Sequence, residues 1–334
     1  MNYPDLSKRW KLMIVSVFYN REWMVEASVR SVVEQLEDDQ LVVLVDDGSS
    51  DGTQQALKAW EADNVHVITY PNIGFVAAIN AAIRLYRSDF IAIHGSGDLS
   101  LKGRFRKQQN FLMNNPAYDV VGCSSVFHNL YSGRRYEKNV VFTGDARKRL
   151  LKKNIFHHGE VMYTRNMYEK TGGYRGFFRY AQDYDLWCRA SCEGFKFHVL
   201  PELLYERKVA VPQSVSGTPE KVILQQYYSA FAAYCHEARM SGFQDPLDEY
   251  GPVIALRVPP PKRLKKKLWR ECIKFIVQGD SVAALRICKE LLVLGGIGEI
   301  FARFLALNLR RLPDPTTKAV RLAVRVAGVY HDES

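Results

Sequence analysis

The chain has 334 residues, 47% hydrophobic and 25% charged, with 46 Lys and Arg against 36 Asp and Glu for a formal charge of +10. Those fractions belong to a folded globular protein and exclude a disordered, collagen-like or disulfide-scaffold chain; the length allows about two domains. Residues 255–334 hold 16 basic and 7 acidic side chains and the first 254 hold 30 and 29, so the excess, which suggests an anionic partner, belongs to the C-terminal region.

Lys8–Lys11 followed by the apolar run Leu12–Tyr19 has the outline of a signal peptide. The run is short, Asn20, Arg21 and Glu22 follow at once, and no small-residue cleavage site appears, so a buried strand is the better reading. Leu12–Val17 is a continuous apolar run of the kind a parallel strand shows when both faces are covered. Val25, Val29, Val32 and Leu36 then recur on one helical face, and Leu41–Val45 is a second buried strand. A helix (Gln54–Trp60), a strand (Val65–Tyr70), a helix (Phe75–Arg87) and a strand (Phe90–His94) follow. This alternation predicts an α/β fold with a doubly wound, mostly parallel sheet. Ligands bind such sheets at the carboxyl ends of the strands, where Tyr19 and Asn20, Asp46 and Asp47, and Gly95–Asp98 are expected to converge.

The acidic segment Asp46–Thr53 lacks the glycine spacing and lysine of a phosphate loop. Two readings stay open for it: a tight turn with Ser49 or Ser50 capping the next helix, or a carboxylate accepting hydrogen bonds from a ribose or a pyrimidine N–H. Six cysteines show no CxxC pair and no His cluster at zinc-ligand spacing, which predicts free thiols in a reducing compartment. Residues 264–330 read as three or four helices after the break Pro259–Pro261, with a stop at Pro313. Leu291–Leu309 is apolar but interrupted by Glu299 and Arg303, which argues against a membrane span.

The ordered set Val15-Ser-Val-Phe-Tyr-Asn20, Val45-Asp-Asp-Gly-Ser-Ser-Asp-Gly-Thr53, Asn72-Ile-Gly74 with Asn80, and Ile91-Ala-Ile-His-Gly-Ser-Gly-Asp98 resembles the nucleotide-binding half of family 2 glycosyltransferases of the GT-A fold. The resemblance continues through His158-Gly-Glu-Val-Met-Tyr163, Gly172-Gly-Tyr174, Gln182-Asp-Tyr-Asp-Leu-Trp187 and Leu204-Tyr-Glu-Arg207, and covers residues 12 to about 210. It implies a GT-A domain over 1–254, with a nucleotide-binding half at 12–110 and an acceptor half at 111–210, followed by a basic helical region at 255–334. It implies inverting transfer from a nucleotide-sugar donor to a saccharide or lipid-linked saccharide, with Asp183 as the general base that a poorly nucleophilic hydroxyl needs. Val17, Tyr19, Asn20, Asp47, Gly74, Asn80 and Asp98 fall on the donor side, and His158, Trp187 and Arg207 on the acceptor side. Asp185 reads as structural, paired with Arg189 at i+4.

Two departures stand out. Gln182 replaces the family's usual Glu, and Gly95-Ser-Gly-Asp98 replaces Asp-x-Asp-Asp. The second leaves Asp98 as the lone protein ligand for Mg2+ or Mn2+, an ion that takes its other ligands from phosphate and water. A metal-free alternative has His94 or Lys102 holding the diphosphate, and a catalytically weakened nucleotide- or glycan-binding module is the competing reading of the whole chain. Trp187 fits either a sugar-stacking face or the core, and His158 either a structural or an acceptor contact.

Lys262–Arg270 places six cations in nine residues, with Leu264 and Leu268 on one helical face. That pattern predicts peripheral contact with anionic lipid at the inner face of the cytoplasmic membrane, and no nucleic-acid module accompanies it.

Overall fold

The structure, a computed structural model, describes residues 8–209, 218–257, 262–277 and 280–294. The Pro259–Pro261 break, most of the Leu291–Leu309 stretch and the stop at Pro313 lie outside the described residues. The chain packs as two compact units, one of Met1–Lys208 with Cys235–Asp245, the other of Val209–Tyr234 with Pro246–Ser334. This grouping follows packing, whereas the division at Ile254 followed charge.

In the first unit, β1 (Arg9–Phe18) lies between β2 (Gln40–Asp46) and β4 (Arg87–Ile93), parallel to both, with β3 (Val65–Thr69) beyond β2. Every residue of β2 is buried, as a strand covered on both faces requires. The connecting helices α1 (Glu22–Val33), α2 (Thr53–Lys58) and α3 (Phe75–Leu85) supply the cover. Val25, Val29 and Val32 of α1 join Leu12, Ile14, Val42 and Leu44 in one core, each fully buried side chain contributing about 1.5–3 kcal/mol.

The second half of the unit holds β5 (Leu99–Ser100), α4 (Arg104–Asn114), β6 (Val120–Asn129), β7 (Arg135–Lys138), β8 (Thr143–Gly144) and α5 (Arg147–Leu150). It continues with β9 (Met162–Thr164), α6 (Arg165–Lys170), α7 (Gln182–Cys192) and β10 (Phe197–Val209). The sheet runs β3-β2-β1-β4-β9-β6-β10-β5, with β7 on β6 and β8 on β10. β9 is antiparallel to both β4 and β6, so a parallel half meets an antiparallel one beside β4. Strand order reverses between β1 and β4, which puts the ligand crevice of a doubly wound sheet at their carboxyl ends.

The second unit is helical. Within it, after the short α9 (Pro246–Tyr250), α10 (Lys262–Val277) packs on α11 (Ser281–Leu294) through Leu264, Leu268, Cys272, Ile276, Ala284, Ile287 and Cys288, joined by Val222 of α8 (Pro219–Met240). The apolar face of α10 expected to lie on lipid is therefore core: Leu264 and Leu268 are buried. An apolar stripe has the same spacing whether lipid or another helix covers it. Lys266 and Arg270 remain exposed, and no helix among the described residues is long and apolar enough to cross a membrane.

Candidate active site

The carboxyl ends of β1 and β2 are tied together by their loops. Asn20 takes a left-handed conformation, its backbone N–H donates to Ser49 Oγ (2.9 Å), and its Oδ1 accepts from the Ser50 backbone N–H (2.8 Å). Ser49 is thus spent on β1 and does not cap α2; Asp51 Oδ1 accepts from the Thr53 N–H (3.0 Å) instead. Asp47 Oδ1 accepts from the Ile73 N–H (2.8 Å), which holds the 72–74 turn against the 46–53 loop. Burial raises the Asp47 carboxyl, against backbone donors at Ile73 and Gly74. Gly48 makes this contact possible: its φ is +73° and a Cβ there would lie 2.4 Å from the Asn72 nitrogen. Val17 is buried in register with Val45, whereas the Tyr19 ring stands 46% exposed at the mouth of the crevice.

After β4 the chain turns at Gly95–Asp98, and the missing acids of this motif have a steric cause. The Tyr205 hydroxyl accepts from the Gly95 N–H (3.0 Å) and donates to Asp98 Oδ2 (2.6 Å). A Cβ on Gly95 would lie 2.8 Å from that hydroxyl and 2.4 Å from Asp98 Oδ2. Gly97 has φ +95°, and a Cβ there would meet Met24 at 2.4 Å. Gly95→Ala is therefore expected to destabilise the fold by about 1–3 kcal/mol through overpacking, measured by urea unfolding, and Tyr205→Phe in the same chain to recover part of the loss.

Asp98 is half-buried, with both carboxylate oxygens taken up by the protein. Its Oδ1 also accepts a hydrogen bond, from the Lys208 backbone N–H (2.8 Å). Burial pushes its carboxyl up to about 6, against the Tyr205 hydrogen bond and the nearby Arg207 and Arg104 guanidiniums. The expected role as sole ligand of Mg2+ or Mn2+ does not fit these contacts: both oxygens are engaged, burial disfavours the charged form, and the local positive charge comes from arginines. Among the described residues no three His, Cys, Asp or Glu side chains gather into a group that could hold an ion by themselves.

His94, expected near the diphosphate, is enclosed by the protein as well. It is buried between Ser28 Oγ (2.9 Å) and Ser100 Oγ (3.0 Å), and burial with Arg104 alongside holds it neutral, down to about 3. It braces the turn and carries no charge to a phosphate. Lys102, the other basic side chain considered, is exposed in the turn before α4.

Arg207 of β10, close enough to Asp98 to lower its carboxyl, meets Lys138 of β7 across His157. Arg207 Nη1 lies 2.7 Å from His157 Nδ1 and Lys138 Nζ lies 2.8 Å from His157 Nε2. Both cations sit over the buried Phe127 ring, each 5.5 Å from its centroid, and His157 meets the same ring edge-on at 4.9 Å. Burial, Arg207 and Lys138 together hold His157 well below the usual imidazole range.

On the acceptor side, Asp183 stands half-buried in the first turn of α7, where Asn154 Nδ2 donates to its Oδ2 (2.7 Å). Ala181, which caps α7, has φ +57°, a conformation an alanine adopts only when its surroundings impose it. His158 Nε2 is 2.7 Å from the Tyr174 hydroxyl; burial lowers its pKa and the Asp183 charge opposes that. Gly159, next in the chain, lies against the Tyr205 hydroxyl, where a Cβ would be 2.1 Å away, so the Asp183 side and the Asp98 side adjoin.

Asn80, expected on the donor, is spent within the protein. Its Oδ1 accepts from the Tyr168 hydroxyl (2.7 Å) and the Tyr174 N–H (3.1 Å), and its Nδ2 donates to the Tyr174 carbonyl (2.7 Å). Trp187 is fully buried among Phe156, Tyr163 and Phe197, which makes it a core aromatic and no sugar platform. Asp185 pairs with Arg189 (2.9 Å) as its spacing implied, and also with Arg175.

Below His157, the buried Glu160 accepts from Ser125 Oγ (2.8 Å) and the His157 N–H (3.1 Å). Burial pushes its carboxyl up to about 7. An acid raised in the folded state holds a proton that the unfolded chain releases, so stability falls as pH rises from ~4.5 to about 7. Glu160→Gln is expected to flatten that fall, read as melting temperature between about pH 5 and pH 8, with Asp98 leaving a smaller residual slope.

The family model for glycosyl transferase family 2 matches residues 13–181, half of the chain. The chain is a family 2 glycosyltransferase. It is 30% identical over 204 residues to EpsE of Bacillus subtilis (strain 168), named provisionally as a glycosyltransferase, covering 59% of this chain and 72% of EpsE. Over 191 residues it is 25% identical to the amylovoran biosynthesis glycosyltransferase AmsE of Erwinia amylovora, covering 56% of this chain and 71% of AmsE. The mannosyltransferase PcManGT from Pyrobaculum calidifontis, solved with GDP-Man and Mn2+, superposes with a TM-score of 0.55 at 18% identity over 99% of this chain and 90% of that one. The fold of this glycosyltransferase is GT-A.

Three of the glycosyltransferase's site residues gave no sequence signal of their own. Tyr205 lies within a recognised motif, but its insertion between Gly95 and Asp98 depends on β10 reaching β5. Asn154 is in an irregular stretch before Gly159, and Lys138 is on the β7 hairpin strand, outside every motif.

Proposed function

We propose that the glycosyltransferase moves a sugar from a nucleotide donor to a saccharide or lipid-linked saccharide with inversion, Asp183 serving as base. The observation that carries this is Asp183 itself, a half-buried carboxylate oriented by Asn154 and adjoining the Gly95–Asp98 turn through Gly159. The acceptor oxygen bonds to the sugar's anomeric carbon as the bond from that carbon to the phosphate oxygen breaks. Its proton passes to Asp183, and the leaving electron pair goes to the diphosphate. A base placed this way contributes about 10²–10⁴-fold.

GDP-Man in PcManGT supports a nucleotide-sugar donor, and the amylovoran biosynthesis named for AmsE supports a saccharide acceptor. Tyr19 at the crevice mouth is the proposed base contact, and Asp47 and the 72–74 turn the proposed frame for the ribose. PcManGT holds Mn2+, so a divalent ion at the diphosphate has precedent in the fold. In this chain both oxygens of the acid that would hold such an ion are engaged by Tyr205 and the Lys208 N–H, and the proposed steps run through the chain's own side chains. Peripheral membrane contact, if electrostatic, falls to exposed cations such as Lys266 and Arg270, because the apolar face of α10 is covered.

Incubating the full chain with UDP-, GDP- and dTDP-sugars and a mixed glycan acceptor pool tests the reading. Nucleoside diphosphate released in step with glycan mass gain is expected. Pyrophosphate as product would indicate nucleotidyl transfer, and no turnover of any donor would favour a binding module.

A further inference from the structure

Lys138 and Arg207 meet His157 in a pair of contacts that the imidazole ring cannot satisfy together. Lysine and arginine side chains are donors only, and a neutral imidazole has one acceptor nitrogen and one N–H. Both ring nitrogens of His157 face cationic donors, at 2.7 and 2.8 Å. In either neutral tautomer one N–H therefore points at a cation, and protonating the ring makes both contacts repulsive. No protonation state of His157 satisfies both neighbours. Phe127 nevertheless fixes all three groups, its ring under both cations and against the imidazole. An anion with several oxygens that draws on both cations removes the conflict and leaves His157 one acceptor and one donor contact.

The position of the cluster identifies the anion. Arg207 is close enough to Asp98 to lower its pKa, and the neighbouring Lys208 N–H bonds to Asp98. The cluster thus borders the Gly95–Asp98 turn at the carboxyl end of β4, in the same unit as Asp183. That turn is where the ion-binding acids are replaced by Gly95 and Gly97, and where Tyr205 fills the space of the first.

We propose that Lys138 and Arg207 bind the donor's diphosphate directly and take the place of a divalent ion in this chain, with His157 as a positioning residue. The inference rests on the nucleotide-sugar reading above and deepens it. Two fixed cations neutralise the charge that develops on the leaving phosphate oxygen, and Arg207 offers a planar pair of donors to two of its oxygens. Because the cations are already in place, no ion need be recruited before the donor.

Calorimetric titration of the full chain with UDP and with GDP, in EDTA and in Mn2+, tests this without relying on turnover. Affinity is expected to agree within about twofold between the two buffers and to fall steeply with added salt. Lys138→Gln and Arg207→Gln should each weaken binding about tenfold or more, and Lys138→Arg should keep most of it. Melting temperatures of the variants, measured alongside, should stay near that of the wild type. A wild-type affinity that rises more than about tenfold with Mn2+ and is lost in EDTA overturns the proposal while leaving the donor reading intact. So do Gln variants that bind as wild type. Absence of binding by either nucleotide in both buffers overturns the donor reading and this inference together.

Discussion

Asp183→Asn is expected to lower kcat by about 10³-fold while leaving donor affinity and melting temperature close to wild type. The reasoning begins with size. Asn preserves the shape of the side chain and still presents an oxygen to Asn154 Nδ2, the contact that orients Asp183 at 2.7 Å. What is lost is proton acceptance, which matters only as the acceptor hydroxyl attacks. An interaction made only in the transition state lowers kcat and kcat/KM together, and leaves donor binding unaffected. Asn154→Ala should fall between: the base remains but is free to rotate, and misplacement of a reacting group by a fraction of an ångström slows transfer by about tenfold. Initial rates at saturating donor, with nucleoside diphosphate affinity measured on the same preparations, separate these effects. An Asp183→Asn variant that retained more than about a tenth of wild-type kcat would move the base elsewhere.

The parallel half of the fold was legible because its signals are local. A strand buried on both faces is written as an apolar run, and Leu12–Val17 and Leu41–Val45 lie within β1 and β2. The convergence of the β1 and β2 loops followed from topology, and Asn20 does bond to Ser50 across 30 positions of sequence. Contacts between distant strands were not legible. Tyr205 reaches Asp98 across 107 positions, and it is that contact that crowds a side chain at 95, whereas at 97 the left-handed backbone and Met24 do so. Trp187 and Leu268 illustrate another limit: an aromatic in a catalytic motif and a leucine in a basic helix carry no mark of which surface covers them. Both are core, one among aromatics of the first unit and the other between helices of the second. The Lys138–His157–Arg207 cluster joins three separate segments, and no spacing rule connects a hairpin strand to them.

Asp185→Ala, two residues from the base on the same helix, is expected to do the reverse of Asp183→Asn and destabilise the fold by about 3–5 kcal/mol, roughly a 10 °C fall in melting temperature. Asp185 is fully buried and receives Arg189 Nε (3.0 Å) and Arg175 Nε (3.0 Å). Arg189 goes on to the Gly173 carbonyl (2.7 Å) and Arg175 to Asp245 (2.8 Å), so the carboxylate is a node joining α7, the Gly172–Gly173 turn and the Cys235–Asp245 segment. Removing it leaves the guanidiniums of Arg175, Arg189 and Arg239 clustered in the interior around Asp245, which is why breaking such a network costs more than the network itself contributes. The pH dependence has a definite sign. Burial alone would raise the Asp185 pKa, but Arg189 and Arg175 outweigh it and hold it below the ordinary value. The stabilisation is therefore complete above the unfolded carboxylate's pKa of ~4 and is lost as pH falls through the lower folded value. This acid-side loss is opposite in sign to the slope from Glu160, which operates between ~4.5 and about 7. Wild-type stability should accordingly peak in mildly acidic solution, and Asp185→Ala should shrink the acid limb, leaving the part due to the other lowered carboxylates such as Asp89 and Glu206, without changing the Glu160 slope. Urea unfolding across that range, followed by tryptophan fluorescence, resolves the two limbs, since buried Trp187 sits on the same helix as Asp185. A variant that unfolded at the wild-type urea concentration would show that the arginines find other partners, and that the node positions the Gly172–Gly173 turn without stabilising it.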